Sequence, residues 1–136
     1  MTIVIDASVA VKWVIDEPGS DAADMLLDEE LIAPALWITE AANALWRTAR
    51  TGEITTGDAA RRLAQLLAAP VASLPIEMHL MAAFGLTTEL SHPIYDCLYL
   101  AVAIARNAQV VTDDRRFAAA VANHPELAGR VRLLGS

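Results

Sequence analysis

The sequence predicts an α/β fold: a three-layer α/β/α sandwich with helices covering both faces of a central parallel β-sheet. Three observations carry that prediction. Five short strand-like runs alternate with helical patterns along the chain, and such alternation favours parallel strands joined by helical crossovers. The first run, "TIVI" at residues 2–5, is apolar without alternation, the pattern of a strand buried on both faces. Two runs finish directly on aspartates, "IVID" on Asp6 and "VVTDD" on Asp113 and Asp114. In open parallel sheets ligands bind beyond the carboxyl ends of the strands, so these acids should project from one edge.

After "TIVI", the stretch "ASVAVKWVI" reads as a short helix stopped near Pro18 and Gly19. "SDAADMLLDEE" is a second helix with Ser20 as its N-cap, and "LIAP" is a brief strand. "LWITEAANALWRTAR" is a strong helix ended by Gly52, with arginines in its last turns where they complement the helix dipole. "TTGDAARRLAQLLAA" is amphipathic: Ala60, Leu63 and Leu67 lie on one side, Arg61, Arg62 and Gln65 largely on the other. Pro70 closes it before the strand "VASL". "IEMHLMAAFGLTTEL" and "PIYDCLYLAVAIAR" are consecutive helices, "AQVVT" is a strand, "RRFAAAVANH" a helix and "VRLL" the last strand. No repeat or linker divides residues 1–136, so one domain is expected.

Composition narrows the function. Hydrophobic residues make up 55% of the chain, enough for a sizeable core. The net charge of −7, from 17 acids against 10 bases, is the wrong overall sign for holding phosphates, unless the acids cluster where a cation neutralises them. A single cysteine, Cys97, cannot form an internal disulfide and fits a reducing compartment. "MTIVIDASVAVKW" lacks the basic opening and long apolar core of a signal peptide. The longest apolar run, residues 97–105, is well short of the roughly 20 residues that span a bilayer. A cytoplasmic protein with no membrane partner is expected.

Two more acids stand where a fold needs none. Asp96 is the only charge in residues 94–105, a helix apolar on nearly every side, and Glu40 sits among Trp37, Ile38, Ala41 and Ala42. Asn43 shares the Glu40 face and is in position to hydrogen-bond it. Asp96 falls in the first turn of its helix, where the dipole favours a carboxylate, so a capping role alone would explain it. The conjunction with the strand-end acids does not reduce to capping. Like charges about 4 Å apart repel by roughly 4 kcal/mol at an effective dielectric near 20. A hard divalent cation with oxygen ligands removes that conflict, and Mg²⁺ or Mn²⁺ is the expected occupant. Such a site activates water and stabilises charge building up on a phosphate. No His–Cys set has zinc spacing.

Four motifs, "IVIDASVAVKWVIDEP", "TEAANALWR", "YDCLYLAVA" and "VVTDDRRF", in that order and spacing, resemble those of the PIN-domain ribonucleases, and most closely the VapC toxins of toxin–antitoxin pairs. The resemblance spans essentially the whole chain. It implies a PIN-like sandwich with an acidic cluster holding Mg²⁺ or Mn²⁺, and metal-dependent hydrolysis of RNA phosphodiester bonds. Its acids correspond to Asp6, Glu40, Asp96 and Asp114. Asp6, Asp96 and Asp114 are then the main metal-holding set, with Glu40 binding metal or orienting water, and Asp113 occupying the variable position beside them. Ser8, Thr112 and Asn43 match polar positions that support the carboxylates. Arg115 and Arg116 are placed to meet RNA phosphates at the rim, with Arg47 and Arg50 as further contributors or plain surface cations. Implied partners are the RNA substrate, a cognate antitoxin over the active-site groove, and a second copy in a homodimer. The apolar helices at 36–50 and 59–69 are the expected contact surfaces.

Other readings weigh less. Aspartate-based phosphatases want a second acid two residues after the first, where this chain has Ser8, and a receiver domain wants a late lysine, whereas the sole lysine is Lys12. A catalytically silent PIN-like RNA- or protein-binding module would be expected to have lost an acid, and all four are present. His79, His92 and His124, Cys97, Lys12 and the tryptophans are assigned no chemistry; Trp37 and Trp46 are expected in the core or at a subunit interface.

Overall fold

The computed structural model describes residues 1–136 and has the predicted architecture. Five strands, β1 (Thr2–Ile5), β2 (Glu30–Pro34), β3 (Val71–Leu74), β4 (Gln109–Thr112) and β5 (Val131–Leu133), form one sheet in the order β3-β2-β1-β4-β5. Every pairing is parallel. Helices α1 (Ala7–Ala10), α2 (Ser20–Met25), α3 (Leu36–Arg50), α4 (Thr56–Leu67), α5 (Glu77–Leu90), α6 (Ile94–Ala105) and α7 (Arg115–Ala122) fill the crossovers. α6 lies across β1, β2 and β4 with α5 packed on it, while α3 packs on α1, α4 and β2. No helix is long and apolar enough to cross a membrane.

The core explains the strand sequences. Ile3, Val4 and Ile5 of β1 and Val110 and Val111 of β4 are essentially inaccessible, because β1 and β4 are inner strands with helices on both faces. α6 is buried from Cys97 to Ala103, which accounts for its nearly uncharged sequence. β1 and β4 also mark the point where the strand order reverses: the chain runs outward from β1 to β2 and β3, then returns to β4 and β5. A crevice opens beyond the carboxyl ends of strands at such a switch point.

The structure corrects the first two helices. Residues 7–15 do not form one helix: α1 spans one turn, and Val11–Trp13 continue as a 3-10 turn. Side-chain anchors tighten the chain there. Lys12 Nζ donates to the Pro18 carbonyl at 2.8 Å, and Trp13 Nε1 to the Ala23 carbonyl at 2.9 Å. Ser20 is not the N-cap of α2. Gly19, at φ +94°, takes that position, a left-handed conformation that favours glycine. The Ser20 hydroxyl instead accepts from the Glu17 amide and donates to the Ile15 carbonyl, closing the loop. α2 ends at Met25 rather than Glu30, with a 3-10 turn at Leu26–Asp28 and Glu30 already in β2.

Candidate active site

Register builds the centre of the site. Ile5 pairs with Val111, so Asp6, the first residue past β1, stands beside Thr112, the last residue of β4. Thr112 Oγ1 donates to Asp6 Oδ2 at 2.5 Å, and Ser8 Oγ donates to Asp6 Oδ1 at the same distance. Each hydroxyl also accepts a backbone N–H, Ser8 from Asp113 at 3.0 Å and Thr112 from Asp114 at 3.1 Å. The two side chains therefore lock the β1 and β4 exits together and commit their protons to Asp6. Asp6 caps α1 through the Val9 amide, and Asp114 caps α7 by accepting from Arg116 and Phe117.

Asp6 is only 4% exposed. Burial drives its carboxyl up to about 6, against the hydrogen bonds from Ser8 and Thr112, and the charge of Asp96 adds to the rise. Asp96 is raised by burial, partly relieved by His92, and pushed further by Asp114. Burial likewise raises Glu40, the Tyr99 hydroxyl opposes that rise by donating to Oε1 at 2.6 Å, and Asp96 adds to it. Asp96 is thus the electrostatic hub, repelled by Asp114 and itself acting on Asp6 and Glu40. Four acids from β1, α3, α6 and the β4–α7 junction meet in one place.

They line a cleft of about 780 Å³ together with Ser8, Asn43, Tyr99 and Asp113, while Arg47 and Arg50 flank it from α3. The carboxylates do not close on a point: no three His, Cys, Asp or Glu side chains already stand in a geometry that would grip one ion. Their chemistry fits a hard cation nonetheless. Oxygen donors are what Mg²⁺ and Mn²⁺ take, and the mutual repulsion of partly buried carboxyls is the cost that a cation offsets.

Some of the sequence-based expectations shift. Asn43 lines the cleft but is exposed, and the partner of Glu40 is Tyr99. Arg115 and Arg116 are exposed at the start of α7 and outside the cleft lining, which Arg47 and Arg50 join. Trp37 is buried, donating to Ser73 Oγ at 2.8 Å, whereas Trp46 is 56% exposed. Three residues given no chemistry bear on the acids directly. His92 Nε2 meets Asp96 Oδ2 at 2.7 Å. Tyr99 holds Glu40. Buried Lys12 pairs with Glu17 at 3.0 Å and with Asp113 at 3.3 Å. The available signal was spacing: His92 is four residues before Asp96 and Tyr99 three after it, so both fall on its side of the chain.

Residues 3–123 match the family described as PIN domain. The chain belongs to that family. Ribonuclease VapC3 of Pyrobaculum aerophilum is 30% identical to this PIN domain over 125 residues, covering 87% of this chain and 93% of that protein. The crystal structure of PAE2754 from the same organism is similar with a TM-score of 0.75 at 24% identity, over 98% of this chain and 84% of that one. A toxin–antitoxin complex from Klebsiella pneumoniae matches with a TM-score of 0.68 at 12% identity, over 96% of this chain and 95% of that one. At such identities the two structures speak to the fold alone.

Proposed function

We propose that this PIN domain is a metal-dependent endoribonuclease, the toxin of a toxin–antitoxin pair. The observation that carries the reading is the convergence of Asp6, Glu40, Asp96 and Asp114 on one cleft, with Asp96 coupled to the other three. Family membership and the likeness to Ribonuclease VapC3 support ribonuclease chemistry over a silent binding module. The likeness to a toxin–antitoxin complex supports an antitoxin as partner.

Asp6, Asp96 and Asp114 would hold Mg²⁺ or Mn²⁺, with Glu40 beside them, and the ion supplies Lewis acidity toward the phosphodiester. The rest is the work of the chain. Ser8 and Thr112 keep both Asp6 oxygens in a fixed plane, so that carboxylate is aimed before any ligand arrives. His92 engages Asp96 Oδ2 and leaves Oδ1 as the oxygen that would meet an ion. Glu40, held through one oxygen by Tyr99, keeps the second for accepting a proton from the attacking water. The chain acts as a homodimer in this reading, with the exposed apolar residues of its helices between the two copies.

Incubation of total cellular RNA with the purified chain tests this. Cleavage should appear with Mg²⁺ or Mn²⁺, vanish with EDTA, and fall by about a thousandfold or more in Asp96→Asn, the rate equivalent of several kcal/mol of lost charge stabilisation. Cleavage that persists in EDTA, or that Asp96→Asn leaves intact, would sink the metal-site assignment.

A further inference from the structure

We infer that, given the ribonuclease reading above, the RNA strand runs from the acid cluster along α3 toward its C-terminal end, with Arg47 and Arg50 on its phosphates. A chain of net charge −7 can hold a polyanion only through local cations. Half of its 10 basic residues are engaged elsewhere, and three more stand away from the cleft. Lys12 is buried against Glu17 and Asp113. Arg61 pairs with Asp58, and Arg62 donates to the Val14 carbonyl. Arg130 and Arg132 are hydrogen-bonded at the β5 side of the sheet. Arg106 follows the end of α6, just before β4 begins, and so lies toward the amino edge of the sheet, away from the acids. Arg115 and Arg116 stand outside the cleft.

Arg47 and Arg50 remain, and both line the same cleft as the four acids. They follow Glu40 on α3 by seven and ten residues, about 10 Å and 15 Å along the axis at 1.5 Å per residue. Neither has a carboxylate within ion-pair distance. The guanidinium of Arg50 lies 4.9 Å over the ring of Trp46, which is exposed beside it and orients it without neutralising it. Glu53 bounds the track at the far end, where Thr51 engages it. The cleft is therefore polarised along one helix, acidic where a cation meets the scissile phosphate and basic where the neighbouring phosphates lie. Phosphate contacts at the basic end add uniform binding, which holds the strand across the acidic end without changing the chemical step.

Fluorescence anisotropy with a short labelled single-stranded RNA tests the track, in an Asp96→Asn background that suppresses cleavage. Arg47→Gln/Arg50→Gln is compared with Arg115→Gln/Arg116→Gln across about 50 to 200 mM KCl. Removing two phosphate contacts should flatten the dependence of log affinity on log salt by about 1.4, so the parent loses about sevenfold more affinity than the α3 variant over that range. The α7 variant should keep the parent slope. With the acids restored, the α3 variant should retain its Mn²⁺ affinity and show a raised KM at nearly constant kcat. An unchanged slope in the α3 variant, or a flattened one in the α7 variant, overturns the track alone while the ribonuclease reading stands. A parent that binds no RNA at any salt overturns both.

Discussion

At the carboxyl edge of the sheet, charged groups are drawn in from solvent; on the outer face of α5, apolar groups are turned out into it. Asp6 is 4% exposed there, whereas Met78, Met81 and Phe84 are 71%, 82% and 63% exposed. Both regions invert the usual distribution of polarity. They differ in how far the fold already answers the inversion. Every acid of the edge has a dedicated protein partner: Ser8 and Thr112 for Asp6, Tyr99 for Glu40, His92 for Asp96 and two amides for Asp114. What is left over is net charge in a small volume, which specifies the chemistry of its complement. The α5 stripe, spaced three residues apart, offers area without direction and specifies only that its complement be apolar.

The sharpest way to separate the two regions is to place a charge on the second. The sequence placed the dimer contact on the helices at 36–50 and 59–69, whereas this exposed apolar stripe lies on α5. Phe84→Glu should disrupt a homodimer formed through the stripe, since an uncompensated charge in an apolar contact costs about 3–5 kcal/mol. That corresponds to about two to nearly four powers of ten in the dimer dissociation constant. Light scattering at micromolar concentration should report a dimer for the wild type and a monomer for Phe84→Glu, with Mn²⁺ affinity the same in both. A wild type that is itself monomeric would remove the dimer.

The converse experiment neutralises an acid at the edge. The Asp6 carboxyl titrates at 3.8 when unfolded and at about 6 when folded, so between those values the folded chain holds the additional proton. Its contribution to stability is fully present below pH 3.8 and is lost as pH rises to about 6. At 1.36 kcal/mol per pH unit the loss is about 3 kcal/mol. Asp96 and Glu40, both raised, act in the same sense. Without divalent metal, Asp6→Asn should therefore raise the melting temperature at pH 7.5 and leave it nearly unchanged at pH 3.5. Adding Mg²⁺ should stabilise the wild type and not the variant. A variant less stable than the wild type at pH 7.5 without metal would show that the hydrogen bonds of Asp6 outweigh its burial.

Strand-end acids were legible from sequence because the rule that exposes them is topological. A strand that stops on an aspartate in a parallel sheet delivers it to the ligand edge whatever the side chains around it do. Asp96 was legible as a charge without an escape, since α6 is buried from Cys97 to Ala103. Glu40 was legible as a carboxylate among apolar neighbours in sequence, although exposed Thr39 and Asn43 give its face of α3 a polar character. The partners of those acids were harder to find because they join elements far apart in the chain. Tyr99 reaches Glu40 across 59 positions and Thr112 reaches Asp6 across 106. Asn43 looked like the partner of Glu40 on helical spacing alone, but it is the phenol of buried α6 residue Tyr99 that reaches that carboxylate. The break after α1 was hidden for a similar reason: nothing local ends the helix, and the anchors that do, Lys12 to Pro18 and Trp13 to Ala23, depend on the loop folding back.

Tyr99 offers the finest test of how far the acid edge is preorganised. Its ring is buried, so Tyr99→Phe keeps the packing and removes one hydroxyl. That hydroxyl donates to Glu40 Oε1 at 2.6 Å, and a hydrogen bond to a charged group contributes about 1.5–3 kcal/mol. Part of that loss will be recovered by water, because Glu40 is half-buried and faces the cleft. The expected result is a fall in kcat of about tenfold, with unchanged Mn²⁺ affinity and little change in melting temperature. Loss of metal affinity in Tyr99→Phe would instead place Glu40 among the direct ligands, its oxygen aimed at the ion by the phenol. If neither kcat nor metal affinity moves, the brace on Glu40 is packing alone, and the preorganisation of the edge rests on Ser8, Thr112 and His92.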